Sequence, residues 1–285
     1  MRTEDDQHAG QYQQTGDDPN QRIQHLQALG YAAGRMAATY KSIAVVTGAS
    51  SGIGAASAQA LAERGYTVVG GARRVDRVQK AVGTSGLALE LDVTETGSVD
   101  RFVAEVGKRY GHIDVLINNA GGALGLEPLE KAKDEDWTGM WNVNVLGLMF
   151  MTRACLPLLR KAKVGHIVNI GSIAGFETYK GGAGYTAVKH AVRAISRTLR
   201  LELNGEPIRV TEIAPGLVET EFSLVRFKGD RDAAKAVYNG LKPLTAEDVA
   251  ECVVFAVTRP PHVDIDEIVV RPVAQATTFQ VSRKT

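Results

Sequence analysis

Apolar positions fall in short runs separated by longer amphipathic stretches, and the two kinds of segment alternate from Lys41 towards the C-terminus. "SIAVVTGA" is a continuous β-branched run, the pattern of a strand buried on both faces. An alanine-rich helical stretch follows, "AASAQALAERG", with Gly65 as its closing residue. "YTVVGGARR" reads as a second strand and, after a short helix over Val75 to Val82, "GLALELDV" as a third. The alternation continues through a helix, "SVDRFVAEVGKRYG", and a strand, "IDVLINNAG". A long helix then spans roughly Glu135 to Lys161. "GHIVNIGS" is a strand, the helix carrying Tyr185 follows, and "IRVTEIAPG" is another strand. A helix over "AEDVAECVVFAVTR" and a strand over "EIVVRPV" complete the pattern. Strands alternating with helices predict an α/β fold, a doubly wound parallel sheet of about seven strands with helices on both faces.

No tandem repeat and no linker interrupts residues 41–285, so one domain is expected there. Residues 1–35 differ: rich in Gln, Asp and Gly, they lack the apolar groups that would offset their ordering entropy, and a flexible extension is expected. Translation starting at Met36 is an alternative reading of the same segment. Lys plus Arg is 33 and Asp plus Glu is 32, so a formal net charge of +1 leaves no global field to attract nucleic acid or an anionic membrane. No apolar run approaches the ~20 residues of a membrane span, and the polar N-terminus lacks the features of a secretory signal. A cytoplasmic location is therefore expected. Cys155 and Cys252 both lie in apolar periodic segments and read as buried, reduced thiols.

The first strand ends in Thr47-Gly48-Ala49-Ser50-Ser51-Gly52-Ile53-Gly54, directly before a helix. Glycine serves where backbone turns tightly or where a phosphate or the next helix comes close, and helix N-terminal amides then hold a pyrophosphate. Strand, turn and helix within one βαβ unit point to a dinucleotide. The second strand ends in Ala72-Arg73-Arg74 with no acid before Asp76, which favours a 2′-phosphate and hence NADP over NAD. Asp92, ending the third strand beside Val93, is better placed for adenine than for the ribose.

Tyr185 and Lys189 stand four apart on one helix face, just past Gly181, Gly182 and Gly184. A lysine charge favours phenolate over phenol and is expected to lower the tyrosine's pKa from its reference of about 10. Such a pair can exchange a proton while a nicotinamide exchanges a hydride. Ser172 ends a strand thirteen residues earlier, at the sheet edge where open α/β folds bind ligands. Asn144 lies inside an apolar helical run, where a buried amide needs partners and could hold the helix open around a water.

With these residues in place the chain resembles the classical short-chain dehydrogenases/reductases. The marks stand in order: T-G-x-x-x-G-x-G from Thr47 to Gly54, N-N-A-G from Asn118 to Gly121, Asn144, Ser172, Tyr185 with Lys189, and Pro215-Gly216. The resemblance implies a Rossmann-type sheet, Tyr185 as acid–base, Ser172 orienting substrate, Lys189 on the nicotinamide ribose, and Asn144 in a proton relay. It also implies that Asn118 and Gly121 line the cofactor together with Asn119 and Ala120, as do Pro215, Gly216, Val218 and Thr220. "GLEPLEKAKDEDW", "APGLVETEFSLVRFKGD" and "KPLTAEDVAECVVFAVTRPPHVDIDEIVVRPVAQ" resemble the branch of NADP-dependent 3-hydroxy acid dehydrogenases acting on serine and allo-threonine. The family likeness also implies a homo-oligomer, a tetramer.

A substrate carboxylate would need a cation in the loop after Pro215-Gly216. Arg226 is the first candidate and Lys228 the second, the alternative being a surface charge. The leading expectation is oxidation of the 3-hydroxyl of a small acid, or reduction of the matching carbonyl. A reductase of a bulkier ketone or 3-oxoacyl thioester, and a cofactor-sensing scaffold, are the competing readings. The six histidines show no metal-ligand spacing, and no metal is expected. His190 turns away from the Tyr185 face by one helical step of about 100°. Trp137 and Trp141 read as packing at a helix–helix contact.

Overall fold

The computed structural model describes residues 40–284, so the expectations for residues 1–35 and for Met36 lie outside the described residues. Seven strands form one parallel sheet in the order β3-β2-β1-β4-β5-β6-β7. They are β1 (Ile43–Thr47), β2 (Thr67–Ala72), β3 (Leu87–Glu90), β4 (Val115–Asn118), β5 (Gly165–Ile170), β6 (Ile208–Pro215) and β7 (Glu267–Val270). The helices between the first strands are α1 (Gly52–Glu63), α2 (Val75–Val82) and α3 (Thr96–Tyr110). After β4 come α4 (Asp134–Trp141) and α5 (Gly147–Leu159), then α6 (Ala183–Glu202) before β6. The short helices α7 (Glu221–Arg226) and α8 (Arg231–Ala236) and the longer α9 (Ala246–Val257) precede β7.

β1 shows why the strand runs are apolar throughout. Ile43 and Val45 enter a core covered by α3 and α5, while Ala44 and Val46 enter the core covered by α1, α2 and α9. Each face of the sheet is thus roofed, and every fully buried Val or Leu contributes on the order of 1.5–3 kcal/mol. Cys155 packs in the first core, where burial pushes its thiol up to about 12, as expected of an inert structural cysteine. Strand order reverses between β1 and β4, and a crevice opens beyond their carboxyl ends.

The boundaries differ from the sequence pattern in instructive places. β3 pairs only over Leu87–Glu90, because an edge strand is held from one side and Leu91 to Val93 leave the ladder. The long helix runs from Asp134 to Leu159 but carries a π-turn over Asn142–Leu146. It is also long and apolar enough to meet a membrane-span criterion by length and composition, contrary to the expectation from runs alone. Half of that apolar window is buried inside the fold, so tertiary packing accounts for its composition. Trp137 packs against the cluster of Met140, Val145 and Val188, whereas Trp141 is 44% exposed.

Candidate active site

The glycine turn is held shut by the next loop. Thr47 Oγ1 accepts from the amides of Asn119 and Ala120 at 3.0 and 2.9 Å, and Asn119 Nδ2 donates to the carbonyls of Thr47 and Gly48 at 2.9 and 3.3 Å. Gly48 and Gly52 adopt φ of +66° and +54°, which only glycine takes without strain. Gly54 is buried behind the turn rather than on the cleft wall, and a Cβ there would lie inside 3.0 Å of Asn119 Nδ2 and the Gly48 carbonyl. A cleft of about 1350 Å³ runs from this turn to Tyr185. Gly48, Ser50, Ser51, Gly52 and Ile53 line one end, with Arg73, Arg74, Asp92 and Val93. Asn119, Ala120 and Gly121 line it too, as do Pro215, Gly216, Val218 and Thr220.

One assignment changes, and one residue of the cleft wall gains a structural role. Asn118 does not reach the cleft: it is 4% exposed and donates to Thr152 and Asn169, both at 2.9 Å, tying β4 to α5 and β5. The Thr220 hydroxyl caps α7 by accepting from Phe222 N at 3.2 Å. Asp92 accepts from Thr94 N and Oγ1 at 3.0 and 2.7 Å; burial pushes its carboxyl up, but these bonds and Arg73 outweigh it and hold the pKa below the usual range. Arg74 donates to Ser50 and Ser51 and to Glu221 at 3.0 Å, while Glu221 also pairs with Arg77 at 2.8 Å. Arg74 therefore bridges the turn serines and the first carboxylate of α7. The open turn, the helix N-terminus behind it and this arginine pair fit a phosphorylated dinucleotide.

Ser172, Tyr185 and Lys189 converge on the other end of the cleft. Ser172 caps a single 3₁₀ turn by accepting from Ala174 N at 3.1 Å. Lys189, 7% exposed, donates from Nζ to the Ile170 carbonyl at 3.0 Å, and its Nζ lies 5.8 Å from the Tyr185 ring centroid. The glycines ahead of Tyr185 allow close approach, since a Cβ on Gly184 would fall inside 3.0 Å of Met140 and Trp137. Asn144 sits behind the wall, 2% exposed. Its Nδ2 donates to the carbonyls of Met140 and Gly122, both at 2.9 Å, and Oδ1 accepts from Gly122 N at 3.3 Å. By taking the Met140 carbonyl, the side chain competes with the helix backbone, and the π-turn lies here. His190 is exposed, as helix-surface placement requires.

The electrostatics correct one expectation. Burial raises the Tyr185 phenol above its ordinary value, Tyr179 adds to this, and the Ser172 hydrogen bond and the Arg226 charge pull it down. Burial lowers Lys189 itself to about 8, against Glu212, which raises it. Arg226 is a second cation at the ring, with Cζ 5.7 Å from the Tyr185 centroid, beside Lys189 Nζ at 5.8 Å. Arg226 Nη2 donates to Tyr179 Oη at 2.9 Å and Nε to the Gly125 carbonyl at 3.1 Å. Lys228, the second candidate, instead pairs with Asp136 at 2.7 Å and does not line the cleft. Sequence reading missed Tyr179, because nothing in its local pattern signals a partner 47 residues away. No group of His, Cys, Asp and Glu suited to a metal occurs among the described residues.

Comparison with known proteins agrees with this geometry. The family model for short chain dehydrogenase matches residues 42–230. An uncharacterized oxidoreductase of Mycobacterium tuberculosis strain H37Rv is 53% identical over 239 residues, 84% of this chain and 94% of the relative. The NADP-dependent 3-hydroxy acid dehydrogenase of Escherichia coli K12 is 43% identical over 238 residues, 82% of this chain and 96% of the relative. A closed form of serine dehydrogenase complexed with NADP+ superposes with a TM-score of 0.80 at 41% identity, covering 85% of this chain and 100% of that one. Fold, turn, constellation and relatives agree: the chain belongs to the short-chain dehydrogenase family.

Proposed function

We propose that this protein is an NADP-dependent oxidoreductase that interconverts the 3-hydroxyl of a small 3-hydroxy acid and the corresponding carbonyl. The observation that carries the reading is Arg226, a cation 5.7 Å from the ring of the proposed acid–base Tyr185 and in the same cleft. An acid group docked on that guanidinium would bring a nearby carbinol to the phenol. Relatives at 43% and 41% identity, named for 3-hydroxy acid and serine dehydrogenation, support the substrate class.

NADP, when bound, supplies or accepts the hydride at the carbinol carbon. Tyr185 gives its hydroxyl proton to the substrate oxygen in reduction and takes it back in oxidation. Ser172 Oγ steadies that oxygen, and Lys189 supplies positive charge beneath the phenolate that forms. Arg73 and Arg74 would hold the 2′-phosphate, and the turn amides from Ser50 to Ile53 the pyrophosphate. We assign a homotetramer, with exposed Trp141 and Met149 on the long helix as the contact face; sedimentation velocity reading a monomer would remove this assignment.

Arg226→Ala is expected to raise KM for a 3-hydroxy acid by roughly 10- to 100-fold, the worth of one charge-assisted hydrogen-bonded pair. An uncharged ketone should be affected far less. Equal losses on both substrates would remove Arg226 from carboxylate recognition. Arg74→Ala should weaken NADPH binding about 10-fold or more while leaving NADH nearly unchanged, measured by fluorescence titration. Unaltered preference between the two would move the 2′-phosphate elsewhere.

A further inference from the structure

β6 places Glu212 between Asn169 of β5 and Glu267 of β7, 1% exposed. A carboxylate buried there is costly unless it has a charge partner or hydrogen bonds. Neither carboxyl oxygen has a partner at ordinary hydrogen-bond geometry among the described residues, although the Ser196 hydroxyl acts on the group. The group lies directly on the α-carbon of Gly171, where an added Cβ would meet Oε1, Cδ and Cγ within 3.0 Å. Gly171 separates Ile170, whose carbonyl takes the Lys189 ammonium, from Ser172. The carboxyl is therefore stationed at the same strand end as two members of the constellation.

The groups facing it come from three elements. α6 presents Lys189, Arg193 and Ser196; β7 presents Glu267, already paired with Arg193 at 3.0 Å; β5 presents Asn169, which donates to Ser196 Oγ at 3.0 Å. Arg193 acts on Glu212 too but is ion-paired with Glu267, whereas Lys189 has no ion pair of its own among the described residues.

We infer that Glu212 is a positioning residue whose carboxylate is the counter-charge keeping Lys189 an ammonium beneath the cleft. The inference rests on the oxidoreductase reading above and adds to it a residue outside the cleft wall. Burial and then Glu267 push Glu212 up to about 7, against Lys189, Arg193 and Ser196, which lower it. Burial lowers Lys189 to about 8, against Glu212, which raises it. The two groups thus titrate close together and behave as a coupled pair.

Removing the anion takes away what favours the ammonium, so Lys189 loses its proton at lower pH. Carbonyl reduction, which uses the ammonium, should then fail earlier on the alkaline side. The test follows kcat for reduction with NADPH from about pH 6 to about pH 10 in the parent, Glu212→Gln and Glu212→Asp. Glu212→Gln is expected to move the alkaline limb down by about one pH unit, with Glu212→Asp restoring it. An alkaline limb unmoved in Glu212→Gln, whatever the change in kcat, overturns the inference. A parent that turns over no carbonyl at all overturns the oxidoreductase reading instead. Should Glu212→Gln fail to fold, infrared spectra of the parent labelled with ¹³C-glutamate read the carboxyl directly. A protonated-carboxyl band that disappears as pH rises through about 7 is expected. A carboxyl already ionised at lower pH supports the counter-charge equally, and one that stays protonated to about pH 10 overturns it.

Discussion

Tyr185→Phe is expected to lower kcat by about 10³-fold while leaving NADPH affinity and folding intact, a loss of about 4 kcal/mol of transition-state stabilisation. The substitution removes only the hydroxyl. The ring keeps its edge contact with Phe222, centroids 5.5 Å apart, and its place beside Val188 and Ala123. With no proton donor at the substrate oxygen, hydride delivery to a carbonyl would leave an unprotected alkoxide. Stopped-flow or steady-state assays following NADPH, with fluorescence titration for affinity, decide the matter. A variant as fast as the parent would sink the assignment. The raised phenol also fixes a sign. Reduction requires the protonated phenol and so persists to alkaline pH until Lys189 loses its charge. Oxidation requires the phenolate and should accelerate as pH rises.

Gly54→Ala is expected to weaken NADPH binding about 100-fold and to lower Tm by about 5 °C. The new methyl would fall inside 3.0 Å of the Gly48 carbonyl, a backbone atom, and of Asn119 Nδ2. Overpacking of this kind costs roughly 1–3 kcal/mol, and here the strain is relieved only by opening the turn that would cradle the phosphates. Gly65→Ala provides the contrast. Its Cβ would meet nothing, but its φ of +86° is strained for alanine, so Tm should fall with NADPH affinity unchanged. Equal effects of the two substitutions on NADPH affinity would contradict this account of the turn. Calorimetry and titration on both variants supply the comparison.

Much of the site was legible because its parts sit at fixed offsets along single elements. Tyr185 and Lys189 share a helix face by their spacing of four, and the turn from Gly48 to Gly54 joins one strand to the next helix. Ser172 stands at a strand end, and strand ends in a parallel sheet meet at one edge. Asn144 was visible as a polar residue in an apolar run, yet the π-turn at Asn142–Leu146 was not, because nothing in that run says the amide would take the Met140 carbonyl while also bonding Gly122 from another segment. Asn118 was misplaced for the same reason. Adjacent residues of a strand point to opposite faces, and the pattern N-N-A-G does not say which asparagine faces the cleft.

The sequence by itself determined the seven-stranded α/β plan, the dinucleotide turn and the Tyr185–Lys189 pair, since each is written in periodicities of two or 3.6 residues or in a contiguous motif. Only the tertiary structure decided that Arg226 joins Lys189 beside the phenol ring, that Lys228 is engaged by Asp136, and that Glu212 lies against Gly171. These pairings join residues from separate crossovers, and their energies depend on burial and distance. Neither quantity exists until the sheet has formed and closed water out.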